Sequence, residues 1–292
     1  MLLAAIALPA AAQTPAATPA APTIASVLAA ATSADWRPLD PENTLYLELA
    51  SGRVVIELAP TFAPAHAKNV KALVREGYFD GLTINRVQDN YVAQWGDANE
   101  GASRRAIKQA KGNLPAEFDQ KAGGDIPFTP SPDGDVYAAE VGWSASFPAA
   151  RDAKSARTWL THCYGTLGTA RGNGADSGGG TQLFVIIGHA PRHLDRNDTA
   201  FGRVVKGIEL LSTLPRGTGA LGFYEKPEQR VTIKSMRVAA DVPAKERTAL
   251  QVLRTDTPTF ASLIAARRTR AEEWFKYPVG RIEVCNVWIP TK

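Results

Sequence analysis

Between residues 83 and 97 the chain reads TINRVQDNYVAQWGD. The stretch offers a permanently charged donor, Arg86, then Tyr91 five residues later, then Gln94 and Gly96-Asp97, and it holds no cysteine, histidine or serine. Its two acids, Asp89 and Asp97, stand at polar, turn-like positions. This set supplies no nucleophile and no evident general base. It can still stabilise a polarised or twisted group by hydrogen bonding, because a guanidinium stays protonated and presents five N–H donors in a fixed fork. A plain reading stays open beside this one. Arg86 can be a surface cation paired with Asp89 or Asp97, Gln94 an ordinary strand position, and Tyr91, Val92 and Phe184 simple core.

Other familiar chemistries fail on residue type or spacing. The run RGNGADSGGGTQ is glycine-rich, but no Gly-Lys-Ser/Thr follows and no helix opens after it, so it is not a phosphate cradle. Its glycines fit an irregular loop between strands. His189 and His193 are four apart, yet Pro191 between them rules out a regular helix presenting both to zinc. No G-x-S-x-G is present for a serine hydrolase, and the scattered acids single out no carboxylate pair. Neither a metal nor a cofactor is expected.

The elements around these residues read mostly as strands. TLYLELASGRVVIELAP alternates as a hairpin turning at Ser51-Gly52. TFAPAHAKNVKALVREGYFDG is a helix with Ala67, Val70, Leu73 and Val74 on one face, ended by Gly77. THCYGTLGTA, TQLFVIIG and TAFGRVVKG read as strands, GIELLSTLP as a short helix and QRVTIKSMRVA as a final strand. Residues 98 to 160, rich in Pro and Gly, read as a long ordered loop with short strands. Many strands, two helices and few βαβ units predict a closed or nearly closed β-barrel with helices over its ends. Beyond it, Leu250, Leu253, Phe260, Leu263 and Ile264 suggest a helical segment, and GRIEVCNVWIP a terminal strand.

The 292 residues allow one large domain with appendages. A net charge of +4 with no run of five basic residues gives no sign of nucleic-acid binding. The apolar run Leu2–Leu8 followed by Ala10-Ala11-Ala12 fits a cleavable export signal over 1–12, although a basic start is missing. It is too short to span a bilayer. An Ala/Pro-rich linker over 13–42 follows, then a domain over 43–240 and an appendage over 241–292. The two cysteines, Cys163 and Cys285, are read either as a disulfide or as two buried thiols, and their spacing fits no zinc motif. No heptad seam supports a dimer, so a monomer in the periplasm or secreted is expected.

Five elements, taken in order, resemble the cyclophilin-type peptidyl-prolyl isomerases. Ile84-Asn85-Arg86 stands where the family has F-H-R, and Tyr91-Val92-Ala93-Gln94-Trp95-Gly96-Asp97 where it has F-x-x-Q-G-G-D. Gly180-Thr181-Gln182-Leu183-Phe184-Val185 stands for G-S-Q-F-F-I, His193-Leu194-Asp195 for W-L-D, and Phe201-Gly202-Arg203-Val204 for F-G-x-V. Order and approximate spacing hold from about residue 43 to 238. The resemblance implies an eight-stranded antiparallel barrel capped by two helices, and isomerisation of X-Pro bonds in unfolded or nascent exported proteins.

It also implies roles. Arg86 donates to the prolyl amide, and Gln94 bonds the substrate backbone or holds Arg86. Tyr91, Val92, Phe184 and Leu194 form the proline pocket, with His193 where the family has tryptophan. Ala170 and Arg171 line the groove, and Gln182 supports it. Val92 is smaller than the family's usual methionine, and the family's later histidine falls near Asp198 or Thr199. The indole N–H is lost at His193, so weak affinity for cyclosporin-type ligands is expected. These departures keep a second reading open, a catalytically weak chaperone module that captures proline-containing peptides on the same fold.

Overall fold

The computed structural model describes residues 21–99, 101–123 and 126–292. The leader expected at 1–12, and the linker up to residue 20, lie outside them. The largest sheet is antiparallel and curled. Its strands run in spatial order Val231–Thr232, Thr83–Val87, Val92–Gly96, Gln182–Ile186, Thr166–Thr169, Ala200–Lys206, Gly52–Leu58, Thr44–Leu49 and Ser235–Val238. Period-2 alternation sets the faces. In the first hairpin Leu45 pairs with Ile56 and Leu47 with Val54, and all four enter the main core.

The final segment, expected as one strand, divides at Ile233-Lys234 into two pieces that sit at opposite edges of the sheet. The Ile233 N–H donates to the Leu82 carbonyl at 2.8 Å, and the Lys234 N–H to the Glu48 carbonyl at 2.8 Å. Nine strands are therefore found where eight were expected because one strand is broken in two. That one continuous segment spans both edges of the curl.

The helix Pro64–Arg75 is shorter than the run that suggested it, and Ala67, Val70, Leu73 and Val74 are buried against the sheet. Ala63 precedes it and has no side-chain cap to offer. The carboxylate of Glu117, from the segment over 98–160 inserted between the strands Val92–Gly96 and Thr166–Thr169, takes the place of a cap. It accepts from the Ala65 N–H at 3.0 Å and the His66 N–H at 2.9 Å, and lies 2.7 Å from His66 Nδ1. Burial alone would raise the Glu117 pKa, but these partners hold it below the ordinary value. The second barrel helix, Glu209–Ser212, is a single turn.

Outside the barrel the inserted segment builds a five-stranded antiparallel sheet of Gln120–Lys121, Arg157–Leu160, Phe147–Asp152, Glu140–Ser144 and Thr129–Pro130. A second hydrophobic cluster joins it to the chain ends. Trp143, Ala150 and Trp159 pack with Val27, Val252, Phe260, Leu263, Val284 and Ile289. Trp143 meets Phe260 edge to face, with ring centroids 4.9 Å apart.

Three sequence expectations are corrected by this cluster. Residues 23 to 42, expected within the linker, carry the helix Ile24–Ala29 and the strand Trp36–Pro38, because Val27, Trp36 and Leu39 have apolar surface to pack against. Leu250 and Leu253 do not join a helix. Leu253 ends the strand Gln251–Leu253, which pairs with Trp36–Pro38, and the helix runs only from Pro258 to Thr269. The expected terminal strand is a short 3-10 turn, Val284–Asn286, followed by one bridge at Thr291, since Val284, Val287 and Ile289 turn into the cluster without alternating. Cys163 and Cys285 form a disulfide, with Cα atoms 5.0 Å apart, that pins this last segment beside the barrel.

Candidate active site

The site begins with a β-bulge. The pairing of Thr83–Val87 with Val92–Gly96 shifts register between Ile84 and Arg86, so Ile84 and Val87 both point into the core while Arg86 lies on the outer face. From there a row crosses the sheet. Arg86 pairs with Gln94, Gln94 with Phe184, and Phe184 with Gly168. Directly paired residues share a face, so these side chains meet by construction. A Cβ on Gly168 would run into Phe184 Cζ, so only glycine lets the ring lie across that strand.

Arg86 is held by neutral acceptors. Its Nη1 donates to Gln94 Oε1 at 3.0 Å, its Nε to the Leu221 carbonyl at 2.7 Å, and its Nη2 to Gln88 Oε1. Three of its five N–H groups are used, and two keep no partner among the described residues. Neither nearby acid neutralises it. Asp89 pairs with Arg216 at 2.9 Å, and Asp97 accepts from the backbone N–H groups of Asn99 and Arg105. Burial pushes the Arg86 pKa down, yet a guanidinium stays charged at neutral pH. Its carbon lies 5.7 Å from the Tyr91 ring centre and 5.5 Å from that of Phe223.

Gln94 is buried, and its Nε2 reaches Gln182 Oε1 at 3.4 Å. Gln182 in turn donates to the Asp97 carbonyl at 2.5 Å. A side chain at Gly96 would place its Cβ 2.6 Å from Gln182 Cδ and block that arrangement. The chain Arg86–Gln94–Gln182 thus fixes the guanidinium at the edge of an apolar cluster. That cluster is Val92, Phe184 and Ile186, with Tyr91, Ala170 and Leu194 packed on it. His193 is exposed and stacks on Tyr91, centroids 6.4 Å apart and rings 10° from parallel.

Arg171 does not join this cluster. Its Nε and Nη2 clamp the Asn197 carbonyl at 3.0 and 2.7 Å, so it braces the turn that carries His193 and Leu194. Several neighbours of the site carried no legible signal. Gln88 and the Leu221 carbonyl, which anchor Arg86, are among them. His162 is another: its ring stacks on Phe184 at 6.4 Å, and its Nδ1 lies 3.1 Å from Asp195 Oδ1. Gly168 had a signal, an isolated glycine inside a strand pattern, which marks close approach. Asp198, where the family's histidine would fall, is largely buried, and burial pushes its carboxyl up to about 6.

Comparison with known proteins shows the family. The family model for cyclophilin type peptidyl-prolyl cis-trans isomerase/CLD matches residues 44–238. A probable peptidyl-prolyl cis-trans isomerase of Brucella suis is 30% identical over 199 residues, covering 65% of this chain and 81% of that protein. The human peptidyl-prolyl cis-trans isomerase-like 1 is 26% identical over 218 residues, covering 74% of this chain and 99% of its own. The crystal structure of the cyclophilin AquaCyp293 from Hirschia baltica superposes with a TM-score of 0.71 at 26% identity, covering 92% of this chain and 96% of that one. The matched span contains the bulged arginine, the glutamine beside it and the apolar cluster, and with that coverage the chain belongs to the cyclophilin-type peptidyl-prolyl cis–trans isomerases.

Proposed function

We propose that Arg86 is the catalytic donor of this isomerase and that its substrates are proline-containing segments of unfolded or newly exported proteins. Rotation about X-Pro breaks no covalent bond, and its barrier of about 18–20 kcal/mol comes from amide resonance. In the twisted amide the nitrogen becomes pyramidal and accepts hydrogen bonds. A charged donor aimed there binds the transition state better than either planar isomer, which is what accelerates the step. The proline ring occupies the Val92, Phe184 and Leu194 cluster, and Gln94 holds the guanidinium while Gln182 holds Gln94.

One observation carries this reading. A partly buried guanidinium with no carboxylate partner among the described residues sits at the rim of an apolar pocket, with two N–H groups to spare. A desolvated, unpaired cation costs stability, which supports a role for it in binding or catalysis. The Cys163–Cys285 disulfide supports an oxidising compartment, as does the apolar stretch Leu2–Leu8. The test is a proline-limited refolding reaction together with NMR exchange spectroscopy on an Ala-Pro peptide. Acceleration that depends on Arg86 supports the proposal. Peptide binding without acceleration selects the binding-module reading.

A further inference from the structure

We infer that a polar cleft beside the proline pocket binds an acidic side chain of the same polypeptide whose proline is being isomerised; this rests on the isomerase reading above. The cleft has a volume of about 900 Å³ and lies between the inserted sheet and the turn carrying His193. His193 belongs to both sites, since it lines the cleft and stacks on Tyr91 of the proline cluster. A chain passing from the pocket over His193 enters the cleft directly.

The charge state of its walls selects the ligand. Three acids line it, and each is already engaged. Asp119 accepts from Arg157 Nε at 2.7 Å and Arg196 Nε at 2.7 Å. Asp152 accepts from the Lys154 N–H at 2.9 Å and Ser155 Oγ at 3.0 Å. Asp195 is held by Arg192 at 2.6 Å and by His162. The cations keep donors in reserve. The Lys154 side chain is exposed and has no partner among the described residues. Arg157 Nη1 and both terminal nitrogens of Arg196 likewise have none there, and these two side chains are 39% and 44% exposed. Asp119 and Asp195 are bound by arginine, whereas the Lys154 ammonium and the outer nitrogens of Arg157 and Arg196 keep charged donors facing the cleft, which favours a carboxylate. The Arg196 guanidinium also lies 5.1 Å from the Trp159 ring centre, which fixes its plane.

Two to five extended residues span roughly 7–18 Å. The probes are therefore proline peptides with a single Glu two to five residues from the proline, on either side, each matched by a Gln peptide. NMR exchange spectroscopy gives kcat/KM for each. The Glu/Gln ratio is expected to reach about two- to fivefold at its best position, the range for exposed charge pairs, and to shrink in 0.5 M salt by screening. It should fall to one in Lys154→Gln, drop below one in Lys154→Glu, and persist in Lys154→Arg. A ratio of one at every position in the unmodified protein overturns the inference, as does a ratio that both Lys154→Gln and Lys154→Glu leave intact. If the Gln peptides themselves are not isomerised faster than in buffer, the isomerase reading fails and takes this inference with it. Acceleration with a flat ratio sinks the inference alone.

Discussion

Replacing Arg86 by alanine removes a donor that the proposed mechanism needs only when the amide is twisted. A hydrogen bond to a charged group is worth about 1.5–3 kcal/mol. At about 1.4 kcal/mol per decade this predicts a loss of roughly 10- to 150-fold in kcat/KM. The loss should appear in kcat with KM little changed, the signature of an interaction made only in the transition state. Arg86→Lys keeps a positive charge but not the fork. A single ammonium cannot bond Gln94, Gln88 and the Leu221 carbonyl together as the guanidinium does, so it should recover less than a tenth of the lost rate. Exchange spectroscopy at saturating and sub-saturating peptide separates the two parameters. Thermal unfolding checks the fold, because alanine leaves the buried Gln94 without its donor. If Arg86→Ala turns over within threefold of the parent, or loses only peptide affinity, the arginine is not stabilising a twisted amide.

Gly168→Ala should displace the Phe184 ring, raise KM for proline peptides and cost about 1–3 kcal/mol of stability, measured by urea unfolding. Removing the disulfide with Cys163→Ser and Cys285→Ser together releases a closure of 122 residues and should cost about 2–5 kcal/mol, read as a lower unfolding midpoint than that of the oxidised parent. Asp198 gives a pH signature. Its folded pKa of about 6 lies above its ordinary 3.8, so the folded state holds the proton more tightly and stability falls as pH rises from about 4 to 6, then stays level. Asp198→Asn should therefore be more stable than the parent above pH 6, with the gap closing below about pH 4, as scored by melting temperature across that range.

The barrel and its site were legible where a few short segments carry both the pattern and the chemistry. The strands Thr83–Val87, Val92–Gly96 and Gln182–Ile186 alternate clearly, and once they are adjacent Arg86, Gln94 and Phe184 must share one face. The bulge at Asn85 was not legible, because one extra residue in a five-residue strand leaves no mark on periodicity. The partner of Arg171, expected in the groove from the resemblance, was not legible either, because the Asn197 carbonyl that its guanidinium binds lies in a turn far along the chain. The second cluster was invisible to a segment-by-segment reading because Val27, Trp143, Val252, Phe260 and Val284 come from stretches far apart in the chain, each too weakly apolar to form a core alone.

The carboxylate over the start of Pro64–Arg75 ties that helix to a distant part of the chain. An ordinary helix brings its own cap from the preceding residue and can form early. This one borrows Glu117 from about fifty residues downstream, so its first turn is completed only when the inserted segment docks. The same segment anchors to the barrel rim through the Glu117 N–H and Thr199 Oγ1, 3.2 Å apart. Trimming the insertion to obtain a minimal isomerase would leave a bare helix end, worth about 1 kcal/mol, and would free the rim next to Asp198. What looks in the linear sequence like a dispensable decoration completes a helix that packs on the sheet carrying the site.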